Sequence, residues 1–269
     1  MTLSDFFAEK KRLAIAFSGG LDSRFLCASA LKANCDVLAI HIRGPHIPRG
    51  ESAGARAFAA TMELSLEEVA VDPLSVPQIA NTDPLRCYYC KRLMLQSLGT
   101  VLAHLGEEER ILCDGSNADD LSRYRPGLKA LQEKGVLSPL ALAGLSKADI
   151  LKRARDMGFP LPKEQARPCL LTRYDYHLPV KRDELARIEE TEEALLRLKD
   201  EKGNTCFADL RLRLTPSPLL QVTRFLPQWK GMTDKIMAAN GFADYAVVET
   251  ASISGFFDQG KNGADSGKH

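Results

Sequence analysis

The chain has 269 residues, 45% of them hydrophobic and 26% charged, with a formal net charge of +1. That mixture suits one large domain or two ordinary ones around a substantial core. The charge balance argues against a protein that lives on nucleic acid, which needs a pronounced basic field. With neither a leader-type N-terminus nor an apolar run of about 18 residues, export and membrane spanning are not indicated. Seven cysteines, an odd number scattered along the chain, read as reduced thiols of a cytoplasmic protein and not as a secreted disulfide framework.

In chain order, apolar runs bounded by turn residues predict strands over 12–17, 36–42, 66–71 and 110–114. Helical patterns lie between them, over 21–33, 51–63 and 85–105. This alternation specifies an α/β fold, a doubly wound parallel sheet covered by helices on both faces, with its ligand beyond the strands' carboxyl ends. Near residue 160 the texture changes: 158–180 carries prolines, basic residues and aromatics and reads as an irregular loop. A charge-laced helical run over 181–203 follows, then strand candidates over 207–214, 219–222 and 243–250 around an amphipathic segment over 229–241. We expect a first domain over 1–165, a smaller α+β domain over 166–258, and a disordered polar tail over 259–269.

Between the first strand and the first long helix stands Ser18-Gly19-Gly20-Leu21-Asp22-Ser23. Successive N–H groups of a glycine-rich turn form an anion-binding concavity, and the following helix adds its positive end. Glycine lets the backbone approach a phosphate. Ser18 and Ser23 offer hydroxyl donors, and Asp22 suits a Mg²⁺ ion that bridges phosphate oxygens. The plain alternative is a helix N-terminus capped by serine and aspartate. The loop lacks the lysine of the Walker type and the spacing of the dinucleotide fingerprint.

Four further stretches carry chemistry. Cys87 and Cys90 stand in Cys-x-x-Cys spacing among Arg86, Lys91 and Arg92, suited to one metal or cluster, a redox pair, or two thiols on a helix. The polar, acidic run 114–131, beginning with Asp114, follows the fourth strand, where a doubly wound sheet puts its ligand. Cys169 lies between Arg167 and Arg173, and cationic neighbours lower a thiol's pKa. Arg211 and Arg213, two apart on one face of a strand, suit a phosphate or carboxylate, or else a solvated edge.

The loop resembles the SGGxDS signature of the PP-loop ATP pyrophosphatases. Together with RCYYCK (86–91), DGSNADDLSRYRPGLKAL (114–131), SPLALAGLSKADI (138–150), CLLTRY (169–174) and RLR (211–213), it makes the chain resemble the LarE family over roughly residues 10 to 250. Those are ATP-dependent sulfur transferases that help make the nickel-pincer nucleotide of lactate racemase. The resemblance implies that a carboxylate of pyridinium-3,5-biscarboxylic acid mononucleotide is adenylated by ATP with Mg²⁺. Pyrophosphate leaves, and sulfur then displaces AMP to give a thiocarboxylate. It also implies nucleotide binding by Ser18, Gly19, Gly20, Asp22, Ser23 and Asp114, and substrate binding by Arg173, Arg211, Arg213 and Glu192. Cys169 is the implied sulfur-bearing cysteine. With Cys87 and Cys90 it makes the three-cysteine set of the type that holds a 4Fe–4S cluster; in the other type a cysteine is sacrificed. Implied partners are the small-molecule nucleotide, a second copy of the chain, a sulfide donor and a downstream nickel-inserting enzyme, with no nucleic acid or membrane.

The chain departs from the resembled pattern in its second half. Gln221 stands where a glutamate is expected, and CLLTRYDYH replaces the usual cysteine-loop sequence. These departures keep open a PP-loop thiolase acting on tRNA or an amide-forming ligase, in either case on a different acceptor.

Overall fold

The computed structural model describes residues 1–121, 126–158, 168–253 and 256–258. Within it the chain divides into two compact units, Met1–Ile79 with Leu85–Pro168, and Ala80–Pro84 with Cys169–His269. The tail over 259–269 lies outside the described residues.

The first unit runs α1 (Leu3–Glu9), β1 (Arg12–Ala16), α2 (Leu21–Lys32), β2 (Asp36–Arg43), α3 (Arg49–Thr61), β3 (Ser65–Ala70), α4 (Arg86–Leu105), β4 (Ile111–Cys113), α5 (Ala118–Leu121), α6 (Pro126–Glu133) and α7 (Lys147–Asp156). Its four strands are parallel in the order β3-β2-β1-β4. Side chains alternate across the sheet. Leu13, Ile15, Val37 and Ala39 join α1, α2, α3 and α7 in one apolar layer, while Ala14, Leu38 and Ile40 join α4 and α6 in the other. This is a doubly wound α/β sheet. Strand order reverses between β1 and β4, so the crevice at their carboxyl ends is the expected ligand position.

The second unit holds α8 (Arg182–Leu196), β5 (Leu210–Leu214), β6 (Pro218–Val222), α9 (Lys230–Ala239) and β7 (Ala246–Glu249). Its sheet has the order β5-β6-β7, antiparallel then parallel. Leu185, Ile188, Leu195, Leu210, Leu212, Leu220, Val222 and Met237 form its buried centre. Residues 80–84 are sewn into this unit by Thr82, whose hydroxyl donates to the Leu178 carbonyl and accepts from the Leu178 N–H, both at 2.8 Å. Among the described residues, no helix is long and apolar enough to cross a membrane.

The helix expected over 181–203 stops at Leu196. Asp200 accepts from Lys202 N and Asn204 N, each at 2.9 Å, and Gly203 takes φ +80°. A side-chain-closed turn has replaced the last helical turns.

His46, just past β2, is 1% exposed, and neither of its ring nitrogens has a hydrogen-bond partner among the described residues. Gly44 packs so closely that a Cβ there would stand 2.3 Å from the Val71 carbonyl oxygen and 2.8 Å from His46 Nδ1. Burial pushes the imidazole down to about 4 against Asp72, which opposes the shift. The folded state therefore favours the neutral ring, an advantage complete above pH 6.5 and lost as pH falls toward 4. His41 shifts in the same direction through burial. Urea titrations across this window should show unfolding free energy falling by up to roughly 3 kcal/mol on account of His46, and His46→Leu should flatten that fall. An unchanged slope in His46→Leu would show that the group does not carry it.

Candidate functional site

At the carboxyl end of β1 the chain turns through Phe17, Ser18, Gly19 and Gly20 into α2. Gly19 takes φ +79°, and a Cβ there would lie 3.0 Å from Ala55 Cβ on α3, so conformation and neighbour both require glycine. Gly20 is the N-cap of α2, and no side chain caps the helix. The alternative in which serine and aspartate serve as caps is therefore not what the loop adopts. The Ser18 and Gly19 N–H groups donate to no protein acceptor among the described residues. Unpartnered loop N–H groups at a helix start without a side-chain cap are donors of the kind that an anion accepts from.

The hydroxyls are used differently from the sequence expectation. Gly20 N–H donates to Ser18 Oγ at 3.3 Å, Ser18 and Ser23 Oγ lie 3.2 Å apart, and Ser23 Oγ donates to Gly20 O at 3.1 Å. This closed ring stiffens the loop, so the serines brace the cradle from within. Arg24 Nε donates to Gly19 O at 2.5 Å and Nη2 to Gly54 O at 3.2 Å, with the guanidinium stacked over Phe58.

The end of β4 forms the facing wall. A Cβ on Gly115 would stand 3.0 Å from Ser23 N, which brings the 114–117 turn against the start of α2. Asp114 is buried, accepting from Ser116 N and Oγ at 3.2 and 2.7 Å and from Ser138 Oγ at 2.6 Å. Its carboxylate thus braces the turn in this structure. Asn117 donates to Asp22 Oδ2 at 3.3 Å, and Lys147 Nζ, at the start of α7, lies 2.7 Å from Asp22 Oδ1. Asn117 also accepts from the N–H groups of Asp119 and Asp120 at 3.0 and 3.3 Å.

Asp22, its side chain 21% exposed, is the carboxylate the loop offers to a metal. Mg²⁺ commonly takes one or two carboxylates and keeps its remaining shell as water and phosphate oxygens. The residues fit that demand if Lys147 yields one oxygen. Asn117 and Lys147 were not singled out from sequence, although both lie within stretches that were.

A cavity of about 600 Å³ opens elsewhere in this unit, lined by Phe7, Phe25, Ser29, Lys32, Arg153 and Met157 among others. It lies toward the far end of α2, roughly 15 Å along the helix from the glycine loop. We place the chemistry at the loop, where the free donors are.

Cys87 and Cys90 occupy the first turn of α4, exposed and buried respectively. Tyr88 between them donates to Glu133 on α6 at 2.7 Å. Cys169 opens the second unit, half-buried, before a short turn over Leu170–Arg173. Among the described residues, no group of three His, Cys, Asp or Glu side chains is gathered to hold a metal. Cys87 and Cys90 belong to the first unit and Cys169 to the second.

In the second unit Arg173 and Glu192 form a two-pronged ion pair at 2.9 and 2.7 Å, their side chains 0% and 1% exposed. Glu192 Oε1 also accepts from Leu212 N at 2.8 Å, pinning β5 to α8. The Arg173 charge is thus met by Glu192, while its Nη1 reaches the Cys169 carbonyl at 3.3 Å. Arg167, the other cation flanking Cys169 in sequence, lies outside the described residues.

β5 is buried along its length, so the solvated-edge alternative for its arginines is excluded. Arg213 donates to Gln221 Oε1, Thr172 O and Ile253 O at 2.9, 2.7 and 2.6 Å and lies over the rings of Phe256 and Phe257. Burial first, then Arg173 and Arg211, push it down to about 10. Arg211 uses Nη1 for both Asp209 and the Leu210 carbonyl, and burial followed by Arg173 lowers its pKa too. Arg173, Arg211 and Arg213 are gathered here with the carboxylates of Glu192 and Asp209, and α8 also buries Glu189.

No family model matches the chain. It is 33% identical over 191 residues to an uncharacterized protein of Methanocaldococcus jannaschii, covering 70% of each chain. It is 33% identical over 197 residues to an uncharacterized protein of a Synechocystis strain, covering 73% of each. A Lactiplantibacillus plantarum protein named pyridinium-3,5-bisthiocarboxylic acid mononucleotide synthase is 28% identical over 196 residues, 72% of this chain and 70% of that one. Among solved structures, NMN synthetase from Francisella tularensis aligns with a TM-score of 0.46 at 18% identity, over 59% of this chain and 67% of that one.

Glu192→Ala should destabilise the protein by about 3–5 kcal/mol in urea unfolding, because it strands the buried Arg173 charge. The double variant Arg173→Met, Glu192→Leu should recover most of the loss. A single-variant cost below about 1 kcal/mol would contradict a structural role for the pair.

Proposed function

We propose, from the premise that the chain belongs to one family with the Methanocaldococcus and Synechocystis proteins, that it is an ATP-dependent enzyme that adenylates a carboxylate and transfers sulfur to it. The observation that carries the ATP half is the uncapped start of α2 with unpartnered loop N–H groups beside Asp22, Asn117 and Lys147. The similarity to the Lactiplantibacillus synthase supports the sulfur half and a pyridinium dicarboxylate mononucleotide as acceptor.

Each residue's work follows from its chemistry. The N–H groups of Ser18 and Gly19 and the helix end receive phosphate oxygens. Asp22 would hold Mg²⁺, which when bound would supply positive charge against the pyrophosphate, and Lys147, released from Asp22, would add a cation at the same place. The acceptor's carboxylate oxygen attacks the α-phosphorus, pyrophosphate departs, and an acyl adenylate remains. The guanidiniums of Arg211 and Arg213 suit the acceptor's phosphate. We take sulfur from Cys169. Its thiolate attacks the acyl carbon and expels AMP. Loss of the Cα proton with cleavage of Cβ–S then leaves a thiocarboxylate product and dehydroalanine. No step is routed through a 4Fe–4S cluster.

A second acceptor is favoured by one observation. Gln221 is fully buried and spends its amide nitrogen on Thr250 Oγ1 and Ser252 O at 3.0 and 3.1 Å, leaving no carboxylate there to hold a metal. The chain could then thiolate a different carboxylate with the same first unit.

Anaerobic incubation with Mg·ATP and the pyridinium dicarboxylate nucleotide should release AMP and pyrophosphate only when the acceptor is present. The protein should lose the mass of hydrogen sulfide at Cys169, and Cys169→Ala should still form the adenylate yet yield no thiocarboxylate. Stoichiometric iron in active protein, with Cys169 intact after turnover, would replace the sacrificial cysteine with a cluster. Acceptor-independent hydrolysis to ADP would overturn the proposal.

A further inference from the structure

Phe17 stands at the junction of β1 and the glycine loop, and both of its backbone groups are tied to β2. Its N–H donates to Ile40 O at 2.9 Å, and its carbonyl lies 2.8 Å from His41 Nδ1. The second ring nitrogen, Nε2, lies 2.9 Å from Ser52 Oγ on α3. The ring is 1% exposed, and burial, the largest influence on it, favours its neutral form. A carbonyl only accepts, so Nδ1 carries the proton, Nε2 accepts, and Ser52 donates.

The Phe17 carbonyl and the Ser18 N–H belong to one planar trans peptide and point in opposite directions. Holding the carbonyl on His41 therefore aims the Ser18 N–H away from β2, where it meets no protein acceptor. On the next peptide but one, Arg24 does the same for Gly19 O. A Ser-Gly-Gly segment without such ties would sample many peptide orientations. We propose that His41 is the positioning residue of the phosphate loop, its Nδ1–H holding the Phe17 carbonyl so that the Ser18 N–H is presented to a nucleotide phosphate. The choice of ligand rests on the ATP reading; the anchoring of the loop does not.

The substitutions that test it separate the two ring nitrogens. An asparagine amide places a donor near the position of Nδ1, whereas a glutamine amide reaches toward Nε2 while filling the space better. His41→Asn should bind Mg·ATP within about 3-fold of wild type, and His41→Gln and His41→Ala about 10-fold more weakly, the worth of one net hydrogen bond. Amide shifts of Ser18, Gly19 and Gly20 in the unliganded protein should stay near wild type in His41→Asn and move in His41→Gln. The Asn and Gln pair decides the matter even if the alanine variant does not fold. Glutamine matching wild type while asparagine fails, or loop shifts unmoved in both, would overturn the anchor. Loop shifts that follow this order in a protein that binds no Mg·ATP would uphold the anchor and overturn the ATP reading.

Discussion

The backbone at Gly19 runs within van der Waals contact of Ala55 on α3 and at positive φ, and the first unit is arranged around that close approach. His41 and Arg24 hold two of the loop's carbonyls, while the Ser18 and Gly19 N–H groups meet no protein acceptor among the described residues and no side chain caps α2 there. A capped helix would be more stable in isolation. Donors left unsatisfied at a helix start, on the switch point of a doubly wound sheet, are the cost of keeping an anion site ready.

The second unit meets a complementary problem. It buries neighbouring guanidiniums, braced by one fully buried ion pair. Gln221 is part of that arrangement. It pairs in register with Arg211 across β5 and β6, accepts from Arg213, and donates to Thr250 and Ser252. A carboxylate could not donate these last two bonds, so the amide satisfies neighbours that a glutamate could not.

The parallel sheet was legible because its central strands β1 and β2 are mostly buried apolar runs, and β1, β2, β3 and β4 each fall within a residue or so of the expected spans. The short helices α1 and α7 escaped hydrophobic periodicity, although both begin with capping boxes, Thr2 with Asp5 and Ser146 with Asp149. The glycine loop was visible because its residues are contiguous. His41, Asn117 and Lys147 were not, because their partners lie 24, 95 and 125 residues away in the chain. Local pattern carries no trace of such contacts. The same holds for Arg173 and Glu192, expected to meet substrate and found holding each other, and for residues 80–84, which belong with the second unit.

Transfer of a labelled oxygen tests the central claim most directly. With ¹⁸O in the carboxylates of the pyridinium dicarboxylate nucleotide, adenylation followed by attack on the acyl carbon must carry one label into AMP. The account predicts AMP bearing ¹⁸O in step with thiocarboxylate formation, read by mass or phosphorus resonance. AMP free of label, or ADP as the nucleotide product, would contradict it.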